Sequence, residues 1–140
     1  MVKTHEGESN MINIHQVDLS LECMSLAMYA ETQTISTQAK EDLAHLILNR
    51  HRDGRFGKDI CEVVYQSDKN GFYQFEGIKY ILDGSHHYPD RKTLLSLKKI
   101  AWRVYFNHSV DHTRGSLYFF DDRITKKVKC KVKRDNLCFY

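Results

Sequence analysis

One glutamate lies within an otherwise apolar helical stripe and is the residue with the clearest chemical potential. Glu31 falls at 3.6-residue spacing beside Met24, Ala27 and Met28, whereas Glu22 points elsewhere. A carboxylate there is partly withdrawn from water, and the negative end of the helix dipole also opposes its ionisation. Both effects raise the pKa, and a carboxyl group that keeps its proton near neutral pH can act as a general acid. The alternative is a glutamate that bends out to solvent or pairs with an arginine.

Hydrophobic periodicity predicts three long helices that position this residue. Each begins after a polar cap, and the second and third follow in order along the chain. The first helix is expected to start at Leu19, after the cap Asp18, and to end near Thr32. The second should run from Ser36 or Thr37 to just before Asp53. The third should run from Pro89 and Asp90 to about Asn107. Residues 60–65 favour a further turn or two of helix, although periodicity alone leaves a strand open.

The second half of the chain changes to strand patterns. Residues 111–115 read as a turn, and residues 116–120 are rich in aromatic side chains that favour a strand. Between Lys127 and Lys133, lysines alternate with Val128, Cys130 and Val132, which predicts a strand with one wet face. Residues 138–140 add a last short strand. The predicted fold class is therefore α+β, with helices followed by a small antiparallel sheet.

Length and composition limit the chain to one folded domain. It has 140 residues, of which 41% are hydrophobic and 28% charged. The formal net charge of +3 is compatible with an anionic partner but does not require one. No apolar run approaches the ~18 residues that cross a bilayer, so we expect no membrane insertion.

The first residues carry no pattern of a secretion signal, so we expect a polar N-terminal leader over residues 1–16 and a catalytic domain over 17–140. Synthesis in the cytoplasm is the corresponding expectation. The four cysteines, Cys23, Cys61, Cys130 and Cys138, show no C-x-x-C spacing, and we expect them to be reduced structural thiols.

The sequence around Glu31 resembles the opening of the SleB/CwlJ type of cell-wall hydrolases, which are spore-cortex lytic enzymes and their phage relatives. In that family a helix ends in a glutamate, and a turn leads into a helix that closes on Val-Leu-Asn-Arg. The matching segments, in consistent order, are Leu26 to Glu31, Ala39, Leu43 to Arg50, Arg55-Phe56, Ile60 to Gln66, Phe75-Glu76, Asp111 to Phe120 and Cys138 to Tyr140.

The turn after Glu31 departs from the family pattern. The family's Glu-Ala-Arg-Gly-Glu is Glu31-Thr32-Gln33-Thr34-Ile35 here, so only the first glutamate, the family's catalytic acid, is retained. A hydrolase normally uses two carboxylates, whereas a lytic transglycosylase can use one. The loss of the second glutamate therefore favours the transglycosylase route.

The resemblance implies a lysozyme-like or lytic-transglycosylase-like domain that cuts peptidoglycan between N-acetylmuramic acid and N-acetylglucosamine. Glu31 would act first as acid and then as base, with no cofactor and with the chain as a monomer. An endolysin that reaches the wall after release from the cell fits these expectations.

The resemblance also suggests a set of cleft residues. Gln66, Phe75, Tyr118 and Tyr140 are candidate sugar contacts, because amides and aromatic faces suit N-acetyl groups and sugar rings. Glu76 is a candidate second carboxylate, which would make the enzyme a muramidase, or a hydrogen-bonding group for sugar. The alternatives are a solvated loop acid for Glu76 and ordinary strand packing for the aromatic residues.

Rival function classes have weaker support. His86 and His87 are adjacent and lack the spacing of a zinc set, so we expect no metal. The basic stretch from Arg123 to Arg134 would suit a non-catalytic module that binds the wall or nucleic acid. Its alternation with apolar residues is more typical of a protected edge strand, so we expect peptidoglycan and not nucleic acid as the partner.

Overall fold

The computed structural model describes residues 13–32, 36–71, 73–123 and 129–140. Within these ranges the chain forms five helices and then a three-stranded antiparallel sheet, which confirms the α+β prediction. The elements are α1 (Ile14–Thr32), α2 (Thr37–Asp53), α3 (Ile60–Tyr65), α4 (Ile78–Leu82), α5 (Arg91–Tyr105), β1 (Phe119–Asp121), β2 (Val132–Arg134) and β3 (Leu137–Phe139).

Helix α1 begins earlier than the sequence predicted. The side-chain oxygen of Asn13 accepts a hydrogen bond from the backbone N–H of Gln16 at 3.1 Å, as an N-terminal cap does. Asp18, the predicted cap, instead lies inside the helix, where its carboxylate pairs with Lys98 of α5 at 3.2 Å. The helix therefore includes residues 14–16, which the sequence analysis assigned to the leader.

The boundaries of α2 and α5 follow the predicted caps. Ser36 Oγ accepts from the N–H of Ala39 at 3.2 Å, and α2 ends at Asp53 before Gly54 in a left-handed conformation. The Asp90 carboxylate accepts from the N–H of Thr93 at 2.8 Å and starts α5, which ends at Tyr105.

The two short helices complete the helical layer. Residues 60–65 form a helix and not a strand, because the Asp59 carboxylate caps them by accepting from the N–H of Glu62 at 2.8 Å. Helix α4 was not predicted, since five residues are too few to display a helical period.

Helix α1 is central, with α2, α3, α4 and α5 packed around it. Residues 20, 21 and 23–28 of α1 are buried, so burial extends beyond the single apolar stripe that the period of 3.6 residues predicted, and the buried Ser25 hydroxyl donates to the Leu21 carbonyl oxygen at 2.7 Å. Side chains with no exposed surface form the middle of the core: Met24, Ala27, Met28, Leu43, Leu46, Ile47, Val63, Val64, Phe75, Ile78 and Phe139. Each large side chain of this kind contributes roughly 1.5–3 kcal/mol through its removal from water.

Strand β3 lies between β1 and β2 and is antiparallel to both. Its pairing sets Phe119 opposite Phe139 and Asp121 opposite Leu137. The predicted strand at 116–120 is shorter and later than expected, since pairing begins only at Phe119. Of the lysine-rich alternation, Val132–Arg134 is a strand, whereas residues 124–128 lie outside the described part of the chain.

The cysteine expectation was wrong. Cys23 of α1 is bonded to Cys61 of α3, and Cys130 is bonded to Cys138 of β3, with 5.3 Å between the Cα atoms in each pair. The first pair is 38 residues apart in sequence, so helix packing brings it together and no local spacing announces it. Cys23 and Cys138 are buried, whereas Cys61 and Cys130 are half-buried.

No helix in the described ranges has the length and apolar character needed to span a bilayer.

Candidate active site

Glu31 lies at the carboxyl end of α1, where its side chain is half-buried. Its Oε1 accepts a hydrogen bond from the backbone N–H of Gly77 at 2.9 Å. Gly77 can approach this closely because it has no side chain: a Cβ there would lie 2.6 Å from the carbonyl oxygen of Ala30. The start of α4 therefore holds the Glu31 carboxyl group in one place.

Burial raises the pKa of the Glu31 carboxyl group above its ordinary value. The hydrogen bond from Gly77 acts in the opposite direction, while the negative charges of Glu76 and Asp121 raise the pKa further. The net effect is a carboxyl group that holds its proton to a higher pH than a solvated glutamate. Such a group can donate that proton to a leaving oxygen.

Glu76 and Asp121 are the two acidic residues that act electrostatically on Glu31. Glu76 is exposed and directly precedes Gly77. Asp121 ends β1, and its side chain is only 22% exposed. Sequence reasoning anticipated Glu76 but missed Asp121, although its place two residues after Phe119 in an aromatic strand was a usable signal.

Asp121 is held by Arg123. The N–H and the Nε of Arg123 donate to Oδ1 at 2.9 and 3.0 Å, and its Nη2 donates to Oδ2 at 2.7 Å. These hydrogen bonds lower the pKa of the Asp121 carboxyl group. The site therefore contains one carboxyl group that tends to keep its proton and one that tends to lose it.

Phe75 lies in the core with no exposed surface and offers no face to a sugar ring. Its ring packs 5.6 Å from that of Phe119, and the guanidinium of Arg50 lies 5.5 Å from its centre. Phe75 therefore connects the segment that carries Glu76 and Gly77 to strand β1. Its place in the structure is that of a support for the candidate site and not of a contact for substrate.

Tyr118 and Tyr140 form a stacked pair whose ring centres are 5.4 Å apart. Their backbones exchange two hydrogen bonds of 2.9 Å, so the pair extends the ladder between β1 and β3. Both side chains are half-buried. The sugar contact predicted for these two residues stays a prediction.

Arg50 is the buried cation beneath this aromatic pair, with 1% of its surface exposed. Its Nε donates to the carbonyl oxygen of Leu117 at 2.6 Å, and its Nη2 donates to Gln74 Oε1 at 3.2 Å. The guanidinium also lies 5.5 Å from the ring centre of Tyr118. Burial lowers the pKa of Arg50 to about 10, which leaves it cationic at neutral pH.

Gln66 follows α3 and is half-buried. Its backbone carbonyl accepts from the N–H of Gln74 at 3.0 Å, while its side-chain Oε1 is buried and has no hydrogen-bond partner among the described residues. Within those residues, Glu31 makes no hydrogen bond or ion pair with Gln66, Tyr118 or Tyr140. The structure thus brings Glu31 together with Glu76, whose charge acts on it, while the Tyr118 ring contacts Tyr140 and Arg50.

The histidines considered for a metal site and the basic residues considered for nucleic-acid binding contact other side chains of this protein. The His86 ring packs on Tyr80 at 5.0 Å, and no group of three His, Cys, Asp or Glu side chains in the described ranges is placed to hold a metal ion. Arg123 pairs with Asp121, Lys133 pairs with Asp122, and Arg134 pairs with Asp42. These pairings reduce the number of charges that the described part of the basic stretch offers to nucleic acid.

Comparison with known proteins gives one match. The family model described as Cell Wall Hydrolase matches residues 36–140, which is three quarters of the chain. Glu31 lies ahead of the matched range, so this comparison says nothing about its role. No curated protein and no solved structure shows significant similarity to the chain.

Proposed function

Because the chain belongs to the cell wall hydrolase family, whose substrate is peptidoglycan, we propose that it cuts glycan strands with Glu31 as the acid. The observation that carries this proposal is the half-buried Glu31 carboxyl group, fixed by Gly77 and shifted toward its protonated form. The bond we expect it to cut joins N-acetylmuramic acid to N-acetylglucosamine.

The proposed reaction is that of a lytic transglycosylase. Protonated Glu31 gives its proton to the glycosidic oxygen, and the bond from that oxygen to C1 of the muramic acid breaks. The resulting Glu31 carboxylate then takes the proton from the C6 hydroxyl group as that oxygen bonds to C1. A 1,6-anhydro ring forms, no water is consumed, and Glu31 ends in its starting protonation state.

The geometry of Glu31 suits both halves of this cycle. Burial favours the protonated form before the first step, and the Gly77 N–H stabilises the carboxylate that exists between the two steps. The Tyr118 and Tyr140 pair is proposed to provide a sugar-binding surface near β1. The two disulfides fit an enzyme that works at the wall, outside the reducing interior of the cell.

The test is Glu31→Gln, with release of fragments from purified peptidoglycan as the measurement. The amide keeps the shape and can still accept from Gly77, but it has no acidic proton, so we expect turnover to fall by a factor on the order of 10² or more. Glu22→Gln is the matched control, because it makes the same change on the same helix, where Glu22 accepts a hydrogen bond from the Tyr88 hydroxyl. Retained turnover in Glu31→Gln would remove Glu31 from the mechanism.

Mass spectrometry of the products separates the transglycosylase from the muramidase. Anhydro ends are one water lighter than reducing ends, and we expect anhydro ends as the main product. Reducing ends as the main product would show that water attacks C1, as in a muramidase that uses Glu31 with a second carboxylate.

A further inference from the structure

We propose that Asp121, clamped by Arg123, is the second carboxylate of the site and faces Glu31 across the position of the reacting sugar. This inference rests on the proposed function and adds Asp121 to it, whereas the sequence analysis considered Glu76 as the candidate second carboxylate. Asp121 would stay ionised and stabilise the positive charge that develops on the sugar ring as its bond to oxygen breaks. It would neither gain nor lose a proton in that step.

The first argument is the direction of the strand. Side chains alternate between the two faces of a strand, so Phe119 and Asp121 share one face of β1, and Phe120 lies on the other. Phe119 packs on Phe75, which lies two residues before Gly77.

Gly77 in turn binds Glu31. Asp121 therefore points from β1 toward the segment that holds the Glu31 carboxyl group. The other face of β1 has a different neighbour, since Phe120 contacts Tyr140 at 5.8 Å between ring centres. Asp122, directly after the strand, pairs with Lys133 at 2.6 Å.

The second argument is the orientation of the carboxylate. An ionised carboxylate offers about four acceptor sites, and Arg123 occupies three of those of Asp121. The carboxylate is therefore fixed and still has capacity for a ligand. The Arg123 side chain is 64% exposed, so water screens its charge more than it screens the less exposed Asp121.

Glu76 lacks both features. Its side chain is exposed, and within the described ranges its carboxylate has no hydrogen-bond or ion-pair partner, although its backbone carbonyl accepts from the Lys79 N–H at 3.2 Å. An exposed, hydrated carboxylate interacts more weakly with a developing charge than one that is held by hydrogen bonds and partly withdrawn from water.

The two carboxyl groups should give a bell-shaped dependence of activity on pH. The acidic limb reports ionisation of Asp121, and the alkaline limb reports loss of the Glu31 proton. The groups that face Glu31 from the described elements are Asp121 of β1, Glu76 before α4, and the Gly77 N–H. Glu76 contributes to the alkaline limb as well, so each residue needs its own variant.

The experiment compares Asp121→Asn with Asp122→Asn, the next carboxylate along the chain, which pairs with Lys133. The measurements are kcat, KM and pH profile on purified peptidoglycan. Asp121→Asn should lower kcat on the order of tenfold or more. It should also move the alkaline limb to lower pH, because one negative charge near Glu31 is removed. Asp122→Asn should retain both the wild-type kcat and the wild-type limbs.

Arg123→Gln provides a second measurement, which leaves Asp121 in place and so does not depend on whether the protein folds with Asp121→Asn. Loss of the arginine raises the pKa of Asp121, so the acidic limb should move to higher pH, and Arg123→Lys should restore part of that shift. A purely structural role for Arg123 would leave the limbs where they are.

The outcomes separate the inference from the proposed function. If Glu31→Gln is inactive while Asp121→Asn behaves like Asp122→Asn, the assignment of Asp121 fails and the proposed function stands. If Glu76→Gln loses more kcat than Asp121→Asn, Glu76 is the second carboxylate. If Glu31→Gln is active, the proposed function itself fails.

Discussion

The backbone N–H of Gly77 donates a 2.9 Å hydrogen bond to the Oε1 of Glu31, and this contact joins the end of α1 to the start of α4. There is no room for a side chain at Gly77, since a Cβ there would lie 2.6 Å from the Ala30 carbonyl oxygen and 2.9 Å from the Ala30 Cβ. The position of the candidate acid therefore depends on a residue that has no side chain. The family resemblance had not drawn attention to it.

Replacement of Gly77 by alanine should reduce both stability and turnover. The added methyl group forces α4 away from Ala30, at a cost of about 1–3 kcal/mol for overpacking. The same displacement lengthens the hydrogen bond to Glu31, so kcat should fall more than KM changes. Thermal unfolding and peptidoglycan turnover, measured on the same preparation, check both effects.

Gly57→Ala is the matched control for this change. A Cβ on Gly57 would lie 2.8 Å from the Val63 N, so that variant is comparably crowded at the start of α3. It should lose stability without a specific loss of kcat per folded molecule. Equal loss of kcat in the two variants would mean that the Gly77 contact has no role in the activity beyond folding.

The helices could be predicted from sequence because their signals are local. Ser36 and Asp90 cap α2 and α5 as expected, and Gly54 ends α2 in the left-handed conformation that glycine favours. The start of α1 was missed because Asn13 and Asp18 are equally good cap residues, and the sequence does not show which of them the helix uses. Helix α4 has only five residues, so its sequence shows no helical period and does not reveal the tertiary contacts that hold it.

The candidate site could be predicted only in part, for a related reason. The environment of Glu31 follows from the period of its own helix, so its half-buried position and its raised pKa could be predicted from the sequence. Asp121 and the cysteine pairs depend on which elements pack together, and Cys23 meets Cys61 across 38 residues of sequence. Phe75 illustrates the converse: a motif position suggested a sugar contact, yet the ring is buried.

The raised pKa of Glu31 predicts how stability depends on pH. A carboxyl group whose pKa is higher in the folded than in the unfolded protein favours folding below its unfolded pKa, and this contribution is lost as pH rises through the folded value. Glutamine has no charge to bury. Glu31→Gln should therefore unfold at a higher temperature than the wild type at pH 7 to 8, with the gain shrinking toward pH 4.

Thermal unfolding of both proteins across that pH range is the measurement. Glu22→Gln again serves as the control, because it makes the same change on the same helix at a side chain that accepts a hydrogen bond from the Tyr88 hydroxyl, and its pH dependence should follow the wild type. A difference between Glu31→Gln and wild type that does not vary with pH would contradict a buried, protonated Glu31. Gain of stability on removal of a candidate acid is also the usual signature of a functional site.

The two disulfides should contribute unequally to stability. A cross-link restricts the unfolded chain more when it closes a longer loop, and the separations are 38 residues for Cys23–Cys61 and 8 for Cys130–Cys138. Loop entropy gives about 4 kcal/mol for the first and about 2.5 kcal/mol for the second. Urea unfolding of the two double serine variants should therefore show the larger loss of unfolding free energy for Cys23→Ser/Cys61→Ser.

Thiol titration of the native protein and of the urea-unfolded protein, both without reductant, should detect no free thiol. Four reactive thiols in the unfolded, unreduced protein would instead restore the original expectation of reduced cysteines.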